Sequence, residues 1–85
     1  MSPASQEEVV KAAFQHRDAL IHYAFALLRD VALAEDVVQD AFLVVMRKWQ
    51  DFRPGTSLFS WVREIVRNKS FEALRSRKRR TSSLD

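Results

Sequence analysis

The scarcity of residues that interrupt helices is the strongest constraint on how this chain folds. The 85 residues include one glycine and two prolines, whereas folds rich in strands and turns use both residue types at many turns. The glycine follows one of the prolines, as Pro54-Gly55, and this dipeptide is a turn signal. The sequence therefore predicts an all-α fold, a small bundle of three to four helices with one distinct loop at residues 50–57.

Apolar residues recur at helical spacing in three segments. Ser5 and Glu8 form a capping box at the start of the first segment. A break near His16–Arg17 in that segment would make four helices out of three. The predicted helices cover residues 6–29, 33–49 and at least 58–74.

The second predicted helix has charged ends and a broad apolar stripe. After a connection at residues 30–31, Glu35 and Asp36 fall in its first turn and Arg47 and Lys48 in its last, so both ends complement the helix dipole. The stripe is wide enough to face two neighbouring helices. Its members are Val37, Val38, Ala41, Phe42, Val45, Met46 and Trp49.

Charge is distributed very unevenly along the chain. Up to Met46 there are three basic and seven acidic residues, whereas from Arg47 onward there are eleven basic and four acidic ones. A chain with an acidic half and a basic half is suited to two partners of opposite charge. Internal pairing between the two halves is the alternative.

Several classes of protein are disfavoured by composition. The chain has no cysteine, so it cannot form a disulfide, a thiolate nucleophile or a zinc knuckle. Residues 1–8 are polar and acidic, unlike a signal peptide. No apolar run approaches the roughly 20 residues that span a bilayer. We therefore expect a soluble, cytoplasmic protein without membrane insertion.

An acidic cluster at the start of the second helix is the first candidate site. Asp36, Gln39 and Asp40 share one helical face, and Glu35 adjoins them. Such a face can hold a basic helix through charge-assisted hydrogen bonds, although a solvated helix start is the alternative. Because no histidine pair or phosphate-binding loop accompanies the carboxylates, we expect neither an enzyme nor a cofactor.

Aromatic rings, hydroxyls and an arginine are concentrated around the loop. Rings stack on unpaired bases, while hydroxyls bond base edges or phosphates. Phe59 lies two positions before Trp61, away from the apolar stripe, so we expect its ring to be exposed. The alternative is that these residues are core aromatics and helix caps. The candidate set is Phe52, Arg53, Thr56, Ser57, Phe59, Ser60 and Trp61.

A polar, basic face on the third helix is the last candidate. Arg63 and Arg67 are one turn apart, followed by Asn68 and Lys69. Phosphates are natural counterparts of such a row, and binding to them weakens steeply with salt. A solvated face with a basic tail, or a membrane surface, is the alternative.

Two longer motifs flank the loop. Residues 34–42 read Ala-Glu-Asp-Val-Val-Gln-Asp-Ala-Phe, and residues 57–68 contain Ser-Leu-Phe-Ser-Trp-Val and Ile-Val-Arg-Asn. Between them, residues 49–53 read Trp-Gln-Asp-Phe-Arg. In these motifs the chain resembles region 2 of sigma-70 family sigma factors, in the extracytoplasmic-function (ECF) branch. Leu58 replaces a usual Phe of that family, and Glu64 replaces a common Arg.

The resemblance implies a domain that binds core RNA polymerase and melts promoters. It implies that Asp36, Gln39 and Asp40 dock on the clamp coiled coil of the largest subunit. It implies that a base of the non-template strand of the −10 element is captured by Phe52, Arg53, Thr56, Ser57 and Phe59. Asn68, with Arg67 and Lys69, would contact the adjacent DNA. We expect this domain at residues 1–80, a disordered tail at 81–85, and an anti-sigma factor as regulatory partner. A helical interaction adaptor with a basic tail is the alternative function.

Overall fold

Four helices build the molecule. The computed structural model describes residues 5–83, with side chains up to residue 77. The helices are α1 (Gln6–Phe14), α2 (Arg17–Leu28), α3 (Val31–Lys48) and α4 (Leu58–Ser83), and a 3-10 helix, Trp49–Asp51, follows α3. The described residues contain no strand. The predicted all-α bundle is therefore confirmed, in its four-helix form.

The predicted break in the first segment separates α1 from α2. The backbone N–H of His16 donates to the carbonyl of Ala13 at 3.0 Å, and the carbonyl of His16 accepts from Leu20 N–H at 2.9 Å. One helix thus ends as the next begins. At the start of α1, the Ser5 hydroxyl oxygen accepts from the backbone N–H of Glu8 at 3.2 Å, which confirms the Ser5 half of the predicted capping box. The Glu8 carboxylate accepts from the Ser5 hydroxyl at 3.3 Å, in place of the backbone N–H that the box predicted.

The connection from α2 to α3, Arg29 and Asp30, lies one residue earlier than predicted. Arg29 adopts a left-handed conformation with φ 57°, which ends α2. The Asp30 carboxylate accepts from the backbone N–H of Leu33 at 3.0 Å, so Asp30 caps a helix that begins at Val31. The prediction that Glu35 and Asp36 lie in the first turn was wrong, because this cap starts α3 one half-turn earlier and places both in the second turn.

The core lies around α3, which packs against each of the other helices. Val37, Val38, Ala41 and Val45 are buried, as the apolar stripe predicted. Met46 is 45% exposed, so its predicted place in the stripe was wrong. The other buried apolar residues are Val9, Ala13, Leu20, Ala24, Leu28, Ala34, Val62 and Val66.

Helix α4 extends further than the apolar pattern suggested. It continues through the basic segment to Ser83, although the sequence assigned residues 81–85 to a disordered tail. Arginine and lysine are good helix formers, and cations near a helix C-terminus interact favourably with its dipole. Residues 84 and 85 lie outside the described residues. Within residues 5–83, no helix combines the length and apolar character of a bilayer-crossing segment.

Candidate functional site

The acidic cluster lies on the outer face of α3. Glu35, Asp36, Gln39 and Asp40 are all exposed, because the opposite side of the helix supplies the core valines. Within the part of the chain whose side chains are described, no salt bridge involves any of the three carboxylates. The cluster thus presents carboxylates that have no partner within the described fold.

A groove of about 400 Å³ adjoins this cluster and adds an aromatic floor. Glu35, Asp36 and Gln39 line one side. The rings of Phe14 and Phe42 also line it, with centroids 5.4 Å apart and planes tilted by 34°. Phe14 is 57% exposed although it ends α1. The sequence pattern did not single out Phe14, because the position of α1 beside α3 is a tertiary property.

Exposed apolar side chains continue the same face of α3. Leu43 is 52% exposed and Met46 is 45% exposed. Leu43 lies four positions after Gln39 and seven after Asp36, so it shares their side of the helix. The outer face therefore combines an acidic start with an apolar continuation. We call the exposed residues Glu35, Asp36, Gln39, Asp40, Leu43 and Met46 the α3 outer face.

The loop before α4 has a defined shape. Gly55 has φ 94°, a conformation that favours glycine, directly after Pro54. The hydroxyl of Thr56 donates to the carbonyl of Arg53 at 2.7 Å, and the backbone N–H of Thr56 donates to the same oxygen at 3.2 Å. These bonds close the turn and leave the Arg53 side chain exposed.

Ser57 joins the loop to α4. Its hydroxyl oxygen accepts from the backbone N–H of Ser60 at 3.1 Å, so Ser57, rather than Thr56, is the helix cap. The cap explains why the helix begins at Leu58 immediately after the turn. The hydroxyl of Ser57 is therefore engaged in capping, whereas Ser60 is exposed on the first turn of α4.

One flank of α4 forms a groove with the end of α3. Trp61 is half-buried and its ring lies 5.6 Å from that of Phe52, at an interplanar angle of 44°. The groove measures about 400 Å³. Its lining residues are Val44, Arg47, Lys48, Asp51, Trp61, Ile65, Asn68 and Lys69. We call it the Trp61 groove.

The opposite flank of α4 holds Phe59, which is half-buried rather than exposed as predicted. Its ring meets the ring of His16 edge-on, with centroids 5.1 Å apart. The guanidinium of Arg63 lies 5.7 Å from the Phe59 centroid. The prediction of a free ring was wrong because periodicity along α4 cannot show that the α1–α2 break packs against it.

Two cations of α4 are paired within their own helix. Arg67 lies 3.5 Å from the carboxylate of Glu64, and Lys69 lies 3.6 Å from that of Glu72. The Arg67 guanidinium also lies 5.2 Å from the centre of the Phe71 ring. The predicted row of positive charge is thus distributed over two flanks and is partly neutralised.

The structure brings together only part of the predicted nucleic-acid set. Phe52, Trp61, Asn68 and Lys69 gather around one flank, whereas Phe59, Arg63 and Arg67 lie away from the groove. The sequence had explained Arg47 and Lys48 by the helix dipole alone, although both line the groove. The clustering of basic residues from 47 onward was the signal available for finding them.

Comparison with known proteins identifies the family. The family model described as sigma-70 region 2 matches residues 5–80. The chain belongs to this family. The predicted resemblance to sigma-70 region 2 is therefore confirmed over nearly all of the described residues. No solved structure matches the chain with significance.

Curated relatives of this sigma-70 region 2 chain carry sigma factor names. The probable RNA polymerase sigma factor RfaY of Xanthomonas campestris is 38% identical over 60 residues, covering 71% of this chain and 15% of that protein. The RNA polymerase sigma factor CarQ of Myxococcus xanthus is 34% identical, covering 72% of this chain and 35% of that protein. The ECF RNA polymerase sigma factor SigE of Mycolicibacterium smegmatis is 33% identical, covering 88% of this chain and 28% of that protein. The chain thus spans about a third or less of each relative, and the SigE name agrees with the predicted ECF branch.

Proposed function

We propose that this domain serves as the core-binding and promoter-melting part of a sigma factor in transcription initiation. The observation that carries the proposal is the separation of two surfaces on one small bundle. The α3 outer face is acidic and apolar, and the Trp61 groove is aromatic and cationic. Membership of the sigma-70 region 2 family supports the identity of the two partners, core RNA polymerase and promoter DNA.

The α3 outer face is the proposed polymerase-binding surface. Asp36 and Asp40 have no internal ion pair among the described side chains, so docking on a basic helix would break no existing salt bridge. Charge-assisted hydrogen bonds to such a helix are stronger than neutral ones. Leu43 adds apolar area that a partner can remove from water. The proposed partner is the clamp coiled coil of the largest polymerase subunit.

The Trp61 groove and the adjoining loop are the proposed DNA-binding surface. A base stacked on an aromatic side chain gains about 1–3 kcal/mol, and the Phe52–Trp61 pair offers aromatic area beside Arg53. Arg47, Lys48 and Lys69 supply positive charge for the phosphates of a single strand. We propose that this surface captures a base of the non-template strand of the −10 element.

The proposed mechanism is binding without chemistry, in the cytoplasm and without a cofactor. Promoter DNA loses stacking and pairing energy when a base leaves the duplex. Contacts with aromatic and cationic side chains offset that loss. The polymerase supplies the remaining contacts, so the two surfaces must act in the same complex.

Reciprocal variants test the proposal. Asp36→Arg should weaken binding to core RNA polymerase by about 1 kcal/mol or more, the scale of a lost charge-assisted bond. Arg47→Gln should spare polymerase binding and weaken binding to single-stranded DNA. Co-purification with core polymerase and fluorescence anisotropy of labelled single-stranded DNA measure the two effects.

A matched control separates site from net charge. Glu64→Arg makes the same change of charge as Asp36→Arg, but on α4, and should leave polymerase binding intact. Equal losses in both variants would show that total charge matters and that the docking face is misplaced. Failure of the folded wild-type chain to bind polymerase or to prefer single-stranded over duplex DNA would contradict the proposed function itself.

A further inference from the structure

We propose that His16 is a positioning residue for the loop before α4, residues 52–57, which we call the DNA-capture loop. This inference rests on the proposed function, because it assigns a role within the same DNA-binding surface. His16 lies at the α1–α2 break, 43 positions before Phe59 in the chain. Its ring nevertheless meets the Phe59 ring edge-on at 5.1 Å and 64°. The break between two helices is thereby joined to the first turn of α4.

Helix capping does not explain why a histidine occupies position 16. His16 is the N-cap of α2, and its side chain makes no capping hydrogen bond. Ser, Thr, Asp or Asn would satisfy the free N–H groups at that position. Asp30 and Ser57 do so at the starts of α3 and α4. The imidazole is instead directed to a ring on another helix.

The contact continues beyond Phe59. The guanidinium of Arg63 lies 5.7 Å from the Phe59 centroid, so His16, Phe59 and Arg63 form a row of three contacting groups. Edge-to-face ring contacts have a preferred geometry, and Arg63 is one helical turn from Phe59. The row therefore fixes the first turn of α4 against the α1–α2 break.

The first turn of α4 determines where the loop ends. Phe59 lies between Ser57, which caps the helix, and Ser60, whose N–H donates to that cap. Any rotation of this turn would move the cap and the closed turn from Arg53 to Thr56. A ring at position 16 thus keeps the loop in place although His16 is not in the loop and is not required to touch DNA.

The test compares two replacements of similar size in the full chain. His16→Leu keeps apolar bulk but removes the ring, whereas His16→Phe keeps a ring against Phe59. His22→Leu, an exposed histidine on α2, is the matched control. The probe is a fluorescein-labelled pool of single-stranded DNA of randomised sequence, measured against the corresponding duplex pool. Co-purification with core polymerase and thermal unfolding are measured on the same samples.

His16→Leu should weaken single-strand binding about threefold to tenfold, the size expected for a lost ring contact. His16→Phe should restore it, and His22→Leu should leave it unchanged. Polymerase binding should be equal in all four proteins. If His16→Leu bound single strands like the wild type, or lost helicity and polymerase binding as well, the positioning role would be overturned.

A double-mutant cycle with Phe59→Leu completes the test. If His16 acts through Phe59, the double variant should bind single strands no more weakly than Phe59→Leu alone. Additive losses would mean that His16 acts elsewhere and would overturn the inference, even with the proposed function intact. A wild-type chain without preference for single strands would overturn the proposed function, and the inference with it.

Discussion

The two proposed surfaces differ in how their charges are held. On the α3 outer face, Asp36 and Asp40 form no salt bridge within the described side chains. On α4, Arg67 is paired with Glu64, and Lys69 is paired with Glu72. The acidic surface has no salt bridge to break when a partner's cation binds, whereas two of the three cations in the α4 row, Arg67 and Lys69, are already engaged.

This difference indicates different demands on the two surfaces. A surface with free charges gains most from one stable docked arrangement, since each partner charge adds a new pair. In the Trp61 groove, Lys69 is paired with Glu72, whereas Arg47 and Lys48 form no salt bridge among the described side chains. Of these three cations, Lys69 alone must exchange an internal contact for a phosphate contact. Exposed ion pairs contribute only about 0.2–1 kcal/mol, so the exchange is easy. We therefore expect the proposed DNA-binding surface to exchange partners without a change in the fold.

Replacing Leu43 by lysine should have the largest effect. It would show whether polymerase binding at the α3 outer face depends on charge alone. We expect Leu43→Lys to weaken polymerase binding about tenfold or more, because a cation would replace apolar contact area at a basic partner. Unfolding free energy should change by less than about 0.5 kcal/mol, as is usual for an exposed position. Titration of core polymerase with the labelled variant measures this loss.

The control for that variant is the same exchange at Val31. Val31 is 58% exposed on α3 but lies before the acidic cluster. Polymerase affinity should be retained in Val31→Lys. Comparable losses at both positions would show that polymerase binding does not depend on where on α3 the exposed apolar residue lies. The two surfaces would then differ in charge only.

Removing an internal pair on α4 should have a smaller effect of opposite sign. Arg67 lies outside the Trp61 groove, and Glu64→Gln frees it for a phosphate of the DNA that adjoins the groove. Single-strand affinity should therefore rise about twofold, within the range of one exposed ion pair. The slope of log affinity against log salt should steepen by about 0.7, the value for one added single-strand phosphate contact. Anisotropy titrations at several salt concentrations measure both quantities.

Glu7→Gln provides the matched change in net charge. Glu7 is exposed on α1 and has no salt bridge among the described side chains. An equal gain in affinity for both variants would attribute the effect to net charge, and the contrast between paired and unpaired surfaces would lose its basis.

A change in the core should affect neither surface. Ser70 is fully buried on α4, and its hydroxyl has no hydrogen-bond partner among the described residues. Leaving a buried polar group unsatisfied costs about 1–3 kcal/mol, and alanine is the better helix former. Ser70→Ala should therefore raise the free energy of unfolding by about 1 kcal/mol with both affinities unchanged. A decrease, measured by chemical denaturation, would mean that the hydroxyl is satisfied.

The sequence determined more of the fold than of the site. Helix periodicity, the Ser5 cap and the turn at Gly55 are local properties, and they predicted the helices, the first break and the loop. Phe59 was assigned wrongly because its contact with His16 joins residues far apart in the chain. Ser70 was missed because a serine in a helical pattern reads as polar, although the packing of four helices buries it.

The exposure of the candidate site residues was predictable where a single helical face defines it. Asp36, Gln39 and Asp40 are exposed on one side of α3, as their spacing predicted. The Trp61 groove is formed by two helices, so periodicity along one helix did not show that Arg47 and Lys48 line it. The clustering of basic residues from 47 onward was the signal that pointed to them. Glu64 differs from the common family residue, and only the structure shows that its carboxylate pairs with Arg67.

The closed turn between Arg53 and Thr56 also bears on the speed of recognition. Proline fixes one backbone angle, Gly55 adopts a conformation that favours glycine, and two hydrogen bonds to one carbonyl hold the ends together. A loop that is ordered before its ligand arrives loses little conformational entropy on binding. A base leaving the duplex only briefly would meet a surface already in its bound shape, so the lifetime of the open base pair, rather than rearrangement of the protein, would limit capture.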